Sequence, residues 1–432
     1  MINSDTSVLI IGAGTFGLST ALELLRKGHQ NVTLSDPYKV PSPLSAGNDV
    51  NKIFQSTVEN AFYSDLAREA LEMWRSDPVY KPAFHEVGIV YGACGDNAIT
   101  EINRRVSFLK EKNVKFLELS SPEEFANFVK TPSVKLDNSI SNLSLNDRFE
   151  NWRGYFQQEM CGWTFAALAL DNAARECEKL GAEFRIGLAE ELLFEGDKCT
   201  GVRTSIGEII DADITVICAG AQSCKLLDFG GQLLAKCWTV GHIRLTDEEA
   251  STLRGSPVVL NLDQGFIFEP DMNNDLKFCN EFPGYINMVE EKGTSIPVFR
   301  NQIPVEAEKQ MRNFLKQVYP IIAERPFSVA KICWCTDTPD RHFLFTEHPK
   351  YNNLVLGTGD SGQGFKFMPV VGKYISQIVM EGSSTLDNSK AKAWKWRQEQ
   401  GQQRDNLATQ GRYGGLNLIR DLKDVDSWTS AK

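Results

Sequence analysis

The chain has 432 residues, 42% of them hydrophobic, which is ample for a large core and two domains. With 46 basic and 56 acidic side chains its net charge is −10, which argues against nucleic acid or an anionic membrane as a bulk partner. No apolar run reaches the length of a membrane span, and the short N-terminal run lacks the basic flank of a signal peptide, so a cytoplasmic protein is expected.

The leading stretch sets the frame. Ser7-Val-Leu-Ile-Ile11 is a short strand candidate, followed without a gap by Gly12-Ala-Gly-Thr-Phe-Gly17. Leu18, Ala21, Leu22 and Leu25 then fall at helical spacing up to Lys27, and Asn31-Val-Thr-Leu-Ser35 is a second strand ending at Asp36. Strand, glycine turn, helix, strand and acid is the context in which G-x-G-x-x-G signals a dinucleotide. Gly12 permits the tight turn, Gly14 lets backbone approach a pyrophosphate, and Gly17 lets helix and strand pack closely. The helix N-terminus offers N–H groups to the phosphates, and Asp36 is placed to accept from a ribose. The motif by itself leaves NAD and FAD open, and a purely structural βαβ turn is the plain alternative.

A loop from Pro37 to Ser45 leads through Ala46-Gly-Asn-Asp-Val-Asn-Lys52 to Ile53 and Phe54. A helix is expected over Ser64–Arg75, a strand over His85–Ala93, and a more polar, partly helical region from Ile99 to Asn142. Gly162 is read as opening a helix that runs to Lys179, followed by a strand at Gly181–Arg185. Gly201–Thr204 and Ile209–Asp211 read as a hairpin, leading to a buried strand that ends at Ala219-Gly220. Thr239–Leu245, Val258–Leu262, Gly265–Glu269 and Leu276–Asn280 look like an antiparallel sheet. Cys333-Trp-Cys-Thr-Asp-Thr338 follows, then a strand at Asn353–Gly357, the glycine loop up to Gly364 and a helix over Pro369–Glu381. No repeat or linker interrupts the chain, so its domains are expected to interleave.

Three glycine-marked strand ends recur: Gly12–Gly17, Gly220 and Gly357–Gly364. A nicotinamide enzyme needs the first; a flavoprotein typically needs all three, because FAD is long. Other candidate residues each have a plain reading. Lys277 in an apolar strand is ordinarily a snorkelling edge residue. Lys366 is a solvated lysine, Arg397 a surface arginine and Glu281 half of a surface ion pair. Cys333 and Cys335 share one face of an extended segment. With no second ligand cluster they are not read as a metal site. The ten cysteines are expected to be mostly thiols.

Several stretches carry a resemblance: Ser45-Ala-Gly-x-Asp-x-Asn-Lys-Ile53, Phe266-x-Phe-Glu-Pro270, Glu281-Phe-Pro-Gly284, Cys333-Trp-Cys-Thr-Asp-Thr338, Thr358-Gly-Asp-Ser-Gly362, Phe365-Lys366 and Trp394-x-Trp-Arg397. Together they resemble the D-amino-acid-oxidase-type flavoproteins of the monomeric sarcosine oxidase branch. Within that branch they are most similar to the fungal fructosyl amino acid oxidases (amadoriases) and the saccharopine oxidases. The resemblance implies an α/β FAD-binding Rossmann-like domain from residues 1–84, 155–221 and 328–432. It implies an α+β substrate domain with an antiparallel sheet from residues 85–154 and 222–327. FAD contacts are implied for Gly12, Ala13, Gly14, Thr15, Phe16, Gly17, Asp36, Ser45, Asn51, Lys52, Ala219, Gly220, Asp360, Ser361, Gly362, Gly364, Phe365 and Lys366. Cys333, rather than Cys335, is implied to hold the flavin covalently through its 8α-methyl group.

The same resemblance places Lys277 over the flavin, where a positive charge stabilises the charge that develops as oxygen is reduced. Lys52 would flank the ring, and both lysines are expected to have lowered pKa values through burial. Lys366 and Arg397 would bind a substrate carboxylate, and Glu281 would face its sugar or amine. Gln363-Gly364 departs from the His-Ser usual in amadoriases, and Gln55 replaces a position that is basic in sarcosine oxidases. The implied activity is oxidation of a secondary-amine amino acid to an imine, with O2 as acceptor and hydrogen peroxide as product. Fructosyl amino acids lead; saccharopine, pipecolate or sarcosine come second. A nicotinamide dehydrogenase and a non-catalytic dinucleotide-binding module are the alternatives of other classes. A monomer is expected. Ser430-Ala-Lys432 is only distantly like a peroxisomal ending, so peroxisomal import is a lesser expectation.

Overall fold

The computed structural model describes residues 3–58, 60–129, 148–281, 284–404 and 419–431. Within the first of these lies the central strand Val8–Ile11, buried at all four positions. Val8 and Ile10 point into a core shared with helices, and Leu9 and Ile11 into a core on the opposite sheet face. A strand covered on both sides must be apolar at every position, which is why it reads as a continuous run. Val32–Asp36 and Ile214–Ile217 flank it in parallel. Glu183–Ile186 and Leu354–Thr358 extend the parallel set, and Leu344–Glu347 closes one edge antiparallel. Helices Thr15–Arg26, Ala61–Ser76, Ala166–Lys179 and Met368–Glu381 share the core of one face. A small antiparallel sheet, Ala189–Glu195, Lys198–Thr204 and Ile209–Asp211, covers the other.

The second sheet has ten strands, with Leu234–Arg244 at its heart. Asp275–Asn280 pairs antiparallel with one side of that strand, and Val329–Asp337 with the other, from Leu234 opposite Asp337 to His242 opposite Val329. The sheet is not wholly antiparallel: Val258–Asn261 runs parallel to Ile89–Ala93 and so joins the two separated chain segments. Along Asp275–Asn280 the alternation decides everything that follows. Leu276 and Phe278 pack against helix Val305–Val318, while Lys277 and Cys279 face the other way, into a cavity.

Expectations differ from the structure in four places. Cys161–Thr164 is a strand paired with Lys52–Gln55, and the helix starts only at Ala166. Gly162 has φ of +154° and lies so close to His85 that a Cβ would sit 2.1 Å from its carbonyl oxygen, a contact local periodicity does not show. The strand expected from His85 to Ala93 is split at Gly88, whose φ is +82°. Residues 328–337, grouped with the FAD-binding part in the expected division, are paired with the large sheet instead, and Arg153–Gln157, at another expected boundary, pairs with Ile89–Ala93. Phe282, Pro283, residues 130–142 of the polar region and Lys432 lie outside the described residues.

Candidate active site

One cavity of about 1090 Å³ runs from the glycine turn at the C-terminal ends of the parallel strands to the face of the large sheet. Ligands of open α/β sheets bind at such strand ends. Gly12 turns the chain with φ of +101°, and a Cβ there would lie 2.6 Å from the Cys218 carbonyl oxygen. At Gly17 a Cβ would meet the Gly12 carbonyl oxygen at 1.9 Å. Only hydrogen fits at either place, so helix Thr15–Arg26 can start against the strand. No side chain caps that helix, and Gly14, Thr15 and Phe16 at its start line the cavity. Asp36 closes this end: its Oδ2 accepts from the Ala13 N–H at 3.1 Å and its Oδ1 from the Tyr38 N–H at 3.1 Å. Burial raises its pKa, opposed by these bonds and Ser42.

Lys277 and Lys52 stand at the other end, joined by Asp49, a residue of the Ser45–Ile53 motif for which no role was expected. Asp49 Oδ2 accepts from Lys277 Nζ at 2.6 Å and from Lys52 Nζ at 2.7 Å. Lys277 Nζ also donates to the Asn51 carbonyl oxygen at 2.7 Å and lies 5.0 Å from the Phe268 ring centroid. Burial opposes ionisation of Asp49, yet Lys277, Lys52 and Lys331 together hold its carboxyl well below the usual carboxylate range. Burial lowers the pKa of Lys277, with Asp49 pulling against it and Lys52 adding to it. Lys52 differs from expectation. Burial works to lower its pKa too, but Asp49, Cys333 and Cys279 outweigh that, and the net shift is upward. The signal for Asp49 was an acid three residues before Lys52, in a loop that local pattern could not aim.

Of the residues singled out from sequence, Gly12, Gly14, Thr15, Phe16, Asp36, Ser45, Lys52, Ala219, Gly220, Lys277, Glu281, Cys333, Asp360, Gly362, Gly364, Phe365 and Lys366 line this one cavity. Five are not on its wall. Ala13 and Gly17 lie behind the glycine turn. Asn51 is fully buried, with both side-chain amide atoms unpartnered. Ser361 is fully buried at φ of +49°, its N–H donating to the Thr336 carbonyl oxygen at 2.7 Å. Arg397 is the fifth, and it lies behind the wall. Its Nη1 donates to the carbonyls of Ala393 and Lys395 at 2.8 and 2.7 Å, and its Nη2 to Asp340 Oδ1 and the His342 carbonyl at 3.1 Å each. The guanidinium thus supports Asp340, itself a lining residue.

The FAD dependent oxidoreductase family matches residues 7–378. The chain belongs to that family. Amadoriase II, the fructosamine oxidase of Aspergillus fumigatus, has been solved in complex with FSA. It is 39% identical, with a TM-score of 0.92 over 100% of this chain and 99% of its own. Amadoriase I of the same organism is 36% identical, with a TM-score of 0.90 over 99% and 98%. The L-saccharopine oxidase of Schizosaccharomyces pombe is 31% identical over 97% of this chain and 98% of its own.

The chain is therefore an FAD-dependent oxidase with the D-amino-acid-oxidase-like fold. Its cavity fits that cofactor: the two glycines form a cradle that a Cβ would fill, and the lining continues unbroken from Asp36 to the lysines. Asp360 ties the two sheets together beside it, accepting from the Thr336 N–H and hydroxyl at 2.9 Å each and from the Gly362 N–H at 3.1 Å. Cys333 and Cys335 both line the cavity; Cys333 is partly exposed and Cys335 is buried. Gln55 and Gln363 line it too, with Gln363 Nε2 donating to the Arg341 carbonyl oxygen at 3.2 Å. Arg341 is a further lining cation not anticipated from sequence. Among the described residues no group of acids, histidines and cysteines could hold a metal ion, and no helix is long and apolar enough to cross a membrane.

Proposed function

We propose that this oxidase takes a hydride from the carbon beside the nitrogen of N-substituted amino acids, with fructosyl amino acids as its leading substrates. The observation that carries the reading is Lys277, a lysine only 2% exposed, on the same cavity as the glycine cradle and Lys366. FAD, when bound, accepts the hydride and passes its electrons to O2, giving hydrogen peroxide. Lys366, 8% exposed, supplies a cation for the substrate carboxylate and so orients the reacting C–H bond. Glu281 faces the sugar or amine side. Trp238, Leu260 and Phe266 give the chamber apolar walls that keep water from the reacting carbon. Lys277 meets the negative charge that develops on oxygen. The oxidised substrate leaves as an imine, which water hydrolyses.

Cys333 is the proposed covalent anchor, supported by the motif around it and its greater exposure within the cavity. Lys366 is the proposed carboxylate site without direct help from Arg397. Saccharopine is the second reading, favoured by the fission-yeast relative; Gln363, which lines the cavity where amadoriases usually carry histidine, bears on the sugar preference without selecting saccharopine. We place the protein in the cytoplasm as a monomer; none of the ten cysteines is in a disulfide, which suits a reducing compartment. A peroxide assay over a panel of N-substituted amino acids, read beside the absorption spectrum, tests this. A yellow protein producing peroxide from a fructosyl amino acid supports it. A colourless protein reducing NAD, or one inert to every amine, would sink it.

A further inference from the structure

We propose that Asp49 is the positioning residue for the oxygen-reacting lysine: one carboxylate oxygen fixes Lys277 on the cavity wall and supplies the negative charge that lets two ammonium groups stand side by side. This rests on the reading of Lys277 given above. The geometry is built rather than incidental. Asp49 Oδ2 lies 2.6 Å from Lys277 Nζ and 2.7 Å from Lys52 Nζ, and the side chains of Asp49 and Lys277 are 3% and 2% exposed. Asp49 is itself anchored, its Oδ1 accepting from the Val50 N–H and its carbonyl from the Ala167 N–H at the start of helix Ala166–Lys179, each at 2.9 Å. The carboxylate is thus held from the α/β side while the lysine comes from the large sheet, so this ion pair links the two halves of the cavity.

The groups that face this trio come from several strands. Lys331 and Cys333 lie on Val329–Asp337, His242 on Leu234–Arg244, and Cys279 and the more distant Asp275 on the strand of Lys277. Burial pulls His242 down to about 4, so it is neutral at pH 7. Burial pushes the Cys279 thiol up to about 12, so it too is neutral. The local balance is therefore Asp49 against Lys52, Lys277 and Lys331. Without the carboxylate, two neighbouring ammonium groups in a poorly hydrated site cannot both keep their protons. Lys277, the more deeply buried of the pair, gives its proton up, and a neutral amine cannot stabilise charge developing on oxygen.

The test uses the holoenzyme. In Asp49→Asn the 15Nζ resonance of Lys277 should titrate at lower pH than in wild type. Reoxidation at neutral pH should slow on the order of 10²-fold, toward the Lys277→Met rate, and recover as pH is lowered. Asp49→Glu should restore part of the rate. The double variant Asp49→Asn/Lys52→Met removes one charge of each sign, so Lys277 should titrate higher than in Asp49→Asn and reoxidation should recover in part, short of wild type because the Asp49 hydrogen bond is also gone. A Lys277 titration unchanged in Asp49→Asn overturns the proposal. So does a double variant whose Lys277 titrates as low as in Asp49→Asn, and this arm stands alone if the single variant fails to fold. Lys277→Met reoxidising at the wild-type rate would instead remove the reading of Lys277, and the titrations would still decide Asp49.

Discussion

Lys277 and Lys52 share one carboxylate oxygen yet end with opposite shifts: burial opposes the charge of both, but at Lys52 Asp49 and the nearby Cys333 and Cys279 outweigh it, whereas at Lys277 burial and the Lys52 charge prevail over Asp49. Lys277→Met should therefore slow flavin reoxidation by oxygen on the order of 10²–10³-fold while anaerobic reduction changes far less. Stopped-flow traces with unchanged reoxidation would refute this. Asp49 also predicts an acid limb. Its folded pKa is depressed, so its contribution to stability is complete above the unfolded value of about 3.9 and is lost as pH falls through the folded one. Thermal unfolding between about pH 4 and 2 should fall less steeply in Asp49→Asn than in wild type. At Cys333 the outcome is binary. Acid-precipitated wild type should stay yellow, Cys333→Ala should release free FAD, and Cys335→Ala should not; release from Cys335→Ala alone would reverse the assignment.

Helices Thr15–Arg26 and Met368–Glu381 cross in contact at Gly372, where there is no room for an added methyl group. A Cβ there would sit 2.0 Å from the Ser19 carbonyl oxygen, and the Gly372 N–H donates to Ser19 Oγ at 2.8 Å. Gly372→Ala must push the helices apart, and overpacking of this kind costs about 1–3 kcal/mol. Because Thr15–Arg26 begins at the glycine turn, the same change should also weaken cofactor retention. Denaturant unfolding and the flavin absorbance per chain after gel filtration measure the two effects. Wild-type stability in Gly372→Ala would mean that the contact relaxes without cost.

The whole molecule places its cavity between two sheets, with the cofactor cradle on one and Lys277 on the other. Lys366 belongs to the loop between strand Leu354–Thr358 and helix Met368–Glu381, and its carbonyl accepts from Trp74 Nε1 at 2.8 Å, which holds the backbone of that loop. Lys366→Met should weaken apparent substrate affinity by roughly 2–5 kcal/mol while the flavin stays bound. Esterifying the substrate carboxylate should cost wild type a similar amount and the variant little more, because both changes delete one interaction. If wild type oxidises ester and free acid equally well, the carboxylate does not bind at Lys366.

The glycine turn, the strands around it and the lysines were legible in the sequence because their signals are local. A backbone that must bend at Gly12, or alternate through Leu276, Lys277 and Phe278, writes its need into adjacent positions. The family motifs likewise pointed to the fold, and to Cys333 and Lys366, which line the cavity. What depends on distant partners was not legible. Gly162 sits in a strand because of His85, and residues 328–337 join the large sheet because Leu234–Arg244 offers them a full row of partners. Arg397 looked like a ligand for a carboxylate, but folding brings Asp340 and backbone carbonyls to its guanidinium first. Asp49 is the clearest case. Its sequence shows an acid near Lys52, but the lysine that gives it meaning is 228 residues away, and only packing of one sheet over the other brings them to 2.6 Å. Periodicity and turn chemistry are properties of neighbours in the chain, whereas charge pairing depends on neighbours in space, so the first could be read and the second had to be seen.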